Sequence, residues 1–529
     1  MLAKNAVIQR IVTDSTLKLQ LVRGIQSTVV NRWREYENER YYEPGEDVLN
    51  RTWHGLTYDY RRSKRRFREA RNDAFQRRHP IAHAKSKIQN YELLPYRSDF
   101  VIIGGGLSGS AAAFWIKQWF RDEDLSVSVI EDPDRFANTR SILSCGEVTQ
   151  QFDQPELVEM AMFSAEFMRH AGDHLRVLDS EKPNISFYPC GFMHLAMTEE
   201  DADRLKESWK MQISKGAKVA FYNKNEAEQK FLFMNFDGVV AATYGLENEG
   251  FFDPVQLLGA LREKNITLGV DYHQGRVDDF VYRQLDLYNP PQGLTDEADD
   301  LMHKRKMMRS IVVQPKMTGA SSRPISFYQC VNAAGPWAGQ VAEMAGIGKG
   351  EGALAVPIPI VARKRQYFVV HAPDVPALEM PALKDPSGVF CRPFEPGYSF
   401  ICGRKPSREE DALTDHSDLT VDYDYFYKNV WPVLCHRVPT FKNATVMNAW
   451  ACHEDVNTFD DAPIIGEHLQ FKNFFTMAGF ANYGAQMGIA AGKLYSEKAM
   501  EYAYMTTNVR KFDMRRLIMG KKETEGNKL

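Results

Sequence analysis

The sequence predicts an α/β fold: a Rossmann-type dinucleotide-binding domain interleaved with a smaller α+β domain built on an antiparallel sheet. Three observations predict it. The apolar run Phe100–Ile103 enters a glycine-rich turn, then a helix, then a second strand that ends in an acid. Small-residue segments recur far down the chain, at Ala333-Ala334-Gly335 and between Gly479 and Gly492. Between them lie stretches that read as strands, around Phe187–Ala196 and Gln366–Val370. The chain has 529 residues, 44% hydrophobic and 26% charged, which excludes collagen-like and wholly disordered classes. Seven cysteines, none in CxxC spacing, are too few for a disulfide scaffold, and no His/Cys/Asp cluster has metal-ligand spacing.

The near-neutral total charge of −3 hides two opposed regions. Residues 1–98 hold 20 Lys/Arg against 11 Asp/Glu, whereas 99–529 hold 46 against 58. Within 1–34 there are six basic residues and one acid, Asp14, and the apolar residues fall on one side of a helix. That is the composition of a mitochondrial presequence; an ordinary solvated helix is the alternative. A second basic block, 61–78, carries nine Lys/Arg and two acids. It reads either as a contact for anionic lipid or an acidic partner surface, or as a solvated arm. No nucleic-acid recognition motif follows it, so no nucleic-acid partner is expected. Residues 1–97 are accordingly presequence plus basic arm. The uncharged window 473–492 holds four glycines and several amides, too polar for a membrane span, and reads as a buried strand, a turn and a helix start.

The central motif is Gly104-Gly105-Gly106-Leu107-Ser108-Gly109. Gly104 permits the tight turn, Gly106 leaves room for a pyrophosphate, and Gly109 lets the helix approach the strand. Ser108 sits at the helix N-terminus, where free N–H groups and the positive dipole end favour phosphate. Glu131, 22 residues beyond Gly109, ends the second strand and is placed to accept hydrogen bonds from ribose hydroxyls. The motif does not distinguish FAD from NAD.

Later segments do. Val331-Asn332-Ala333-Ala334-Gly335-Pro336-Trp337-Ala338, Gly250-Phe251-Phe252-Asp253-Pro254, Gly275-Arg276-Val277, Asn457–Gly466 and Phe474–Phe480 occur in one order. Together they resemble the D-amino-acid oxidase/sarcosine oxidase/dimethylglycine dehydrogenase family. The resemblance implies a GR2-like FAD-binding domain with FAD as cofactor. It adds Val277, Ala334, Gly335, Gly479 and Gly484 to Gly104, Gly106, Ser108, Gly109 and Glu131 as cofactor-binding residues. It implies a discontinuous FAD-binding domain over 98–185, 237–280, 325–350 and 455–515, and a substrate domain over 186–236 and 351–454. Residues 281–324, polar and with Pro290-Pro291, read as an inserted hairpin or loop suited to a partner contact, and 516–529 as a C-terminal tail.

The family oxidises a C–N bond beside a carboxylate, so the resemblance implies a small amino-acid-like substrate. Arg392 is the candidate to bind its carboxylate, and Tyr483 a candidate acid/base group. His453 is a second acid/base candidate, and Cys452 either a flavin tether or an apolar filler. Of Arg363, Lys364 and Arg365, one is expected to point inward and two to be solvated. The chain departs from the family pattern at Arg140 and Ile142, where small residues are usual, at Asn482 and Tyr483 in Gly479–Gly484, and at Cys452. These departures leave the dinucleotide half intact and fall on the catalytic half. A closer resemblance to one mitochondrial branch of the family is carried by Val148–Phe152, Arg363-Lys364-Arg365 and Val430-Trp431-Pro432. It implies a protein on the matrix side of the inner membrane, peripherally attached. Its partners would be complex I subunits or assembly intermediates, with redox activity either residual or intact.

Overall fold

The computed structural model describes residues 94–119, 125–178, 180–284, 306–317, 320–394 and 397–523, with scattered positions between 49 and 78. The expected presequence, most of the basic arm, residues 285–305 of the expected insertion and residues 524–529 lie outside the described residues. The chain divides into two compact units, Met1–Leu93 with Phe120–Leu125, and the remainder. In the first, the described positions from Leu49 to Arg78 are helical and, Thr57 apart, exposed.

The second unit contains two large sheets. Strands are numbered in chain order. The first sheet holds β1 (Arg97–Ile103), β2 (Val127–Glu131), β8 (Val270–Gln284), β9 (Lys306–Pro315), β10 (Arg323–Asn332), β16 (Ile464–Glu467) and β17 (Phe474–Ala478). Its middle is parallel: β2 and β10 flank β1, with β8 outside β2 and β17 outside β10. Phe100–Ile103 is apolar throughout because a parallel strand is covered on both faces. At Gly275, β8 leaves β2 and continues antiparallel to β9, which in turn pairs with the start of β10. Residues 281–284, 306–315 and 323–324 therefore belong to strands of the first sheet. The hairpin expected within 281–324 is thus made by strands of the first sheet, 281–284 pairing antiparallel with 306–310, and the residues that connect them, 285–305, lie outside the described residues.

The second sheet has the order β15-β11-β14-β13-β12-β4-β6-β5. These are β4 (Phe192–Ala196), β5 (Val219–Asn223), β6 (Ala241–Gly245), β11 (Ile360–His371), β12 (Ala382–Lys384), β13 (Val389–Pro393), β14 (Ser399–Arg404) and β15 (Thr445–Asn457). Only the β4–β12 pair is parallel. β6 lies here, although its residues were expected in the FAD-binding domain. Its short run Ala241–Gly245 pairs with β4 and β5, a choice that local sequence does not encode. A small ladder joins β3 (Glu147–Val148) to β7 (Gly250–Phe251).

Five helices of thirteen or more residues are described: α1 (Leu107–Trp119), α2 (Pro155–Arg169), α3 (Glu199–Ser214), α4 (Pro254–Thr267) and α5 (Gly484–Glu501). α4 starts where Asp253 caps it, its carboxylate accepting from the Val255 N–H at 2.8 Å, with Pro254 at the first turn. Window 473–492 forms β17, a single tight turn and the start of α5. No helix among the described residues is long and apolar enough to cross a membrane. The C-terminal segment is packed further than expected: Arg516, 3% exposed, is ion-paired with Asp460 at 2.7 Å, and the Glu523 N–H donates to Asp460 at 3.2 Å, so residues 516–523 are not the free tail expected from residue 516.

Candidate functional site

A cleft of about 960 Å³ opens at the carboxyl ends of β1 and β2, where Ile103 and Glu131 line it. This is where open α/β sheets bind ligands. Gly104 has φ +105, and a Cβ there would run into the Ala333 carbonyl at the end of β10. A Cβ on Gly109 would strike the Gly104 carbonyl, so the third glycine brings α1 against the strand. A Cβ on Gly106 would meet the Ser141 hydroxyl at 2.5 Å. Gly106 is thus close to Ser141, a neighbour that sequence reasoning did not foresee, as well as to the cleft. Ser108 faces Gly488 of α5, whose Cβ would meet the Ser108 hydroxyl at 2.7 Å.

Glu131 lines the cleft and is ion-paired with Arg262 of α4. Burial pushes its carboxyl up, and Arg262 opposes that. Arg262 also donates to the Gly105 carbonyl at 2.6 Å and lies 4.5 Å over the Phe136 ring, so one side chain ties the turn to the acid. Arg135, Arg140 and Arg276 line the same cleft. A glycine cradle, a helix N-terminus, an acid and three guanidinium groups suit a ligand with a ribose and a diphosphate. Val277, Ala334, Gly335 and Gly484 line the cleft as well, and Gly335 has φ +52. Gly479 lines a second cavity instead and turns the chain at φ +80.

Two further cleft residues come from β15. His453 donates its N–H to the Asn138 carbonyl at 2.8 Å and its Nε2 sits 2.8 Å from the His416 carbonyl. Among the described residues its buried Nδ1 has no hydrogen-bond partner, a polar atom left over for a ligand. Asp455 accepts from the Gly479 and Phe480 N–H groups at 2.7 and 3.0 Å and so pins the turn between β17 and α5. Burial pushes its carboxyl up to about 6, against those two hydrogen bonds. Sequence reasoning missed Asp455 because its partners lie 24 and 25 residues away, in the turn that follows β17 of the other sheet.

The second cavity, about 780 Å³, shares Phe480 with the cleft. Tyr483 lines it, with its hydroxyl 3.3 Å from Lys384 Nζ and its ring 4.8 Å from that of Phe152. Arg392 lines neither space. It is 4% exposed on β13, stacked 4.4 Å over the Phe251 ring, and donates to the Pro393 carbonyl at 2.6 Å. Burial lowers its proton affinity, opposed by Cys145 and Glu147. The structure therefore does not bring Arg392 together with Tyr483: on β13 its side chain turns towards β7, away from both spaces. Cys452 is fully buried beside Cys145, Tyr367 and Ile401, outside both linings, and burial pushes its thiol up to about 12.

Between cleft and cavity runs a buried charge network. Arg140 pairs with Glu454 and donates to the Asn482 side-chain oxygen at 2.7 Å. Arg365 donates to the other Glu454 oxygen at 2.6 Å and to Asp411 at 2.6 Å. Burial alone would raise the Glu454 carboxyl, but Arg365, Arg140 and Lys405 outweigh it and hold it below its ordinary value. Arg140 and Asn482, two bulky departures from the family pattern, are thus hydrogen-bond partners. Of the three adjacent cations, Arg365 is buried, Arg363 is partly buried on the same strand face, and Lys364 reaches the Thr420 carbonyl at 2.5 Å. Two share the inward side where one was expected, because the strand repeats every two residues and Asp411 lies against both.

Comparison with known proteins places this geometry. The profile of the family described as FAD dependent oxidoreductase matches residues 99–498. The chain is 36% identical to the Xenopus laevis protein FAD-dependent oxidoreductase domain-containing protein 1, covering 80% of this chain and 83% of that one. It is 37% identical to the Bos taurus protein of that name, covering 82% and 87%. Among solved structures, L-proline dehydrogenase from P. horikoshii superposes with a TM-score of 0.63 at 21% identity, over 81% of this chain and 100% of that one.

Proposed function

The chain belongs to the family of FAD-dependent oxidoreductases, and from that premise we propose that it is a mitochondrial matrix flavoprotein, peripheral to the inner membrane, that serves the assembly of respiratory complex I. The residues of the cleft fit FAD. The Gly104–Gly109 turn and the α1 N-terminus would hold the diphosphate, with Arg135 and Arg276 adding positive charge. Glu131, kept in place by Arg262, would accept from a ribose. Bound FAD supplies a hydride acceptor; the protein's part is to bind, orient and exclude water.

One observation carries the assembly reading over ordinary turnover. Where the family has small residues at the flavin end, this chain sets Arg140 and Asn482 in a buried network with Glu454 and Arg365. The basic composition of residues 1–34 supports the mitochondrial location. A second reading is an active oxidoreductase of an N-methyl or secondary amino acid, and the second cavity beside Phe480 favours it.

Anaerobic spectroscopy separates the two. The purified protein should show the visible absorbance of FAD. Sarcosine, dimethylglycine, proline and D-amino acids should leave it unbleached on the assembly reading, and bleaching at a catalytic rate would favour the second. Deletion of the gene should lower complex I, and wild-type protein should restore it; unchanged complex I sinks the assembly reading.

A further inference from the structure

We propose that residues 407–422 form a pH-sensitive strap beside the cofactor cleft, docked while His416 is neutral and released when His416 takes a second proton, so that acid loosens the hold on FAD. The strap fills an open edge. β14 pairs with β11 only along Tyr367–His371, and the preceding residues Arg363–Gln366 meet the strap instead. Ser407 caps the short helix Arg408–Leu413, and the Asp411 carboxylate, 2.6 Å from Arg365, anchors it. At the far end the Asp422 N–H donates to the Gln366 side chain at 2.6 Å. Between these anchors the His416 carbonyl accepts from His453 Nε2 at 2.8 Å. His453 lines the cleft, so the strap holds a wall residue of the cofactor site.

His416 is the member of the strap that can switch near neutral pH. Its Nδ1 accepts from the Lys364 N–H at 3.0 Å. In the neutral ring Nε2 therefore carries the proton, and the Asp411 carbonyl accepts it at 2.8 Å. A second proton has only Nδ1 to occupy, where it would face the Lys364 N–H, donor against donor. The new cation would also lie beside two others, since Arg363 Nη1 is 2.5 Å from Nε2 and Arg365 shares that strand face. The other charged groups around the ring are already engaged. Arg365 and Arg363 share the Asp411 carboxylate, and Lys364 turns its ammonium to the Thr420 carbonyl. Asp415 and Asp418 accept from the Ser417 and Thr420 hydroxyls within the strap. Burial lowers the proton affinity of the His416 ring and the hydrogen bond to the Asp411 carbonyl opposes it; Arg363 and Arg365 lower it further against the Asp411 carboxylate. Docking is thus at full strength above the ordinary histidine value of 6.5 and is lost as pH falls through the lower docked value.

The inference rests on the FAD-binding reading for its effect on the cofactor, not for the strap itself. Two measurements on the purified full-length, FAD-loaded protein test the parts: the rate of FAD release, and hydrogen exchange of peptides containing Lys364 and residues 407–422. From about pH 7.5 to about pH 5.5, across the histidine range, wild-type release should rise about fivefold or more. His416→Gln, neutral throughout and still able to accept from the Lys364 N–H, should release FAD at one slow rate. Arg363→Gln, with one cation fewer beside the ring, should move the step to higher pH. Exchange in the wild type should exceed that in His416→Gln at the acid end and match it at the neutral end. An equal acid step in His416→Gln, an unmoved step in Arg363→Gln, no step in the wild type, or an exchange step without a release step overturns the proposal. Absence of FAD absorbance with the exchange step intact overturns the cofactor reading and leaves the pH response of the strap standing.

Discussion

Arg140 and Asn482 stand 342 residues apart and meet at one hydrogen bond. Replacing Arg140 with alanine leaves Glu454, 1% exposed, with Arg365 as its main partner. The expected loss is about 3 kcal/mol of stability, the low end for breaking a buried pair because one arginine remains; denaturant unfolding of the FAD-loaded protein measures it. Asp455 offers a test by pH. Its folded-state carboxyl is raised from 3.8 to about 6, so between those values the folded protein holds a proton that the unfolded chain has released. Its contribution is therefore greatest below pH 3.8, falls as pH rises to about 6, and is flat above. In Asp455→Asn that part of the slope should vanish from a plot of melting temperature against pH. Neither Arg140 nor Asp455 was legible as a pair member in the sequence. Arg140 stood out only as too bulky for its place, and nothing local points from Asp455 to the Gly479–Phe480 turn.

At the scale of elements, the unit β1–α1–β2 was readable because each of its parts is local. The strand is a run of apolar residues, the turn needs glycine at φ +105, and the acid ends the next strand. What faces α1 was not readable. Gly488 and Gly492 of α5 bring its backbone against Ser108 and Ala111, where a Cβ on Gly492 would meet Ala111 at 2.6 Å. Gly492→Val should cost about 1–3 kcal/mol through overpacking and should lower the FAD content of the purified protein, because the α1 N-terminus shifts; absorbance after gel filtration reads the second effect. Placement on β13 explains Arg392. A strand predicts two faces but not which one meets the cavity, and here the Arg392 face meets Phe251 of β7.

For the molecule as a whole, the last described segment closes the first sheet from outside. Arg516 donates to Asp460 and to the Ala462 and Pro463 carbonyls at 2.7, 3.1 and 2.9 Å, all buried. Truncation before Arg516 should destabilise the protein by about 3–5 kcal/mol, since Asp460 is left buried without its partner. Thermal unfolding measures it; a truncated protein as stable as the full chain would contradict the packing seen. The sequence by itself determined the α/β class, the dinucleotide half and the family, because glycine turns, helix starts and strand ends are local chemistry repeated in a set order. Only the tertiary structure decided which charges are buried together, that 281–284 and 306–315 belong to the first sheet, and that Tyr483 and Lys384 share a cavity from which Arg392 is excluded. Those are contacts between residues far apart in the chain, and the side of a strand that is buried is set by its partner sheet rather than by its own residues.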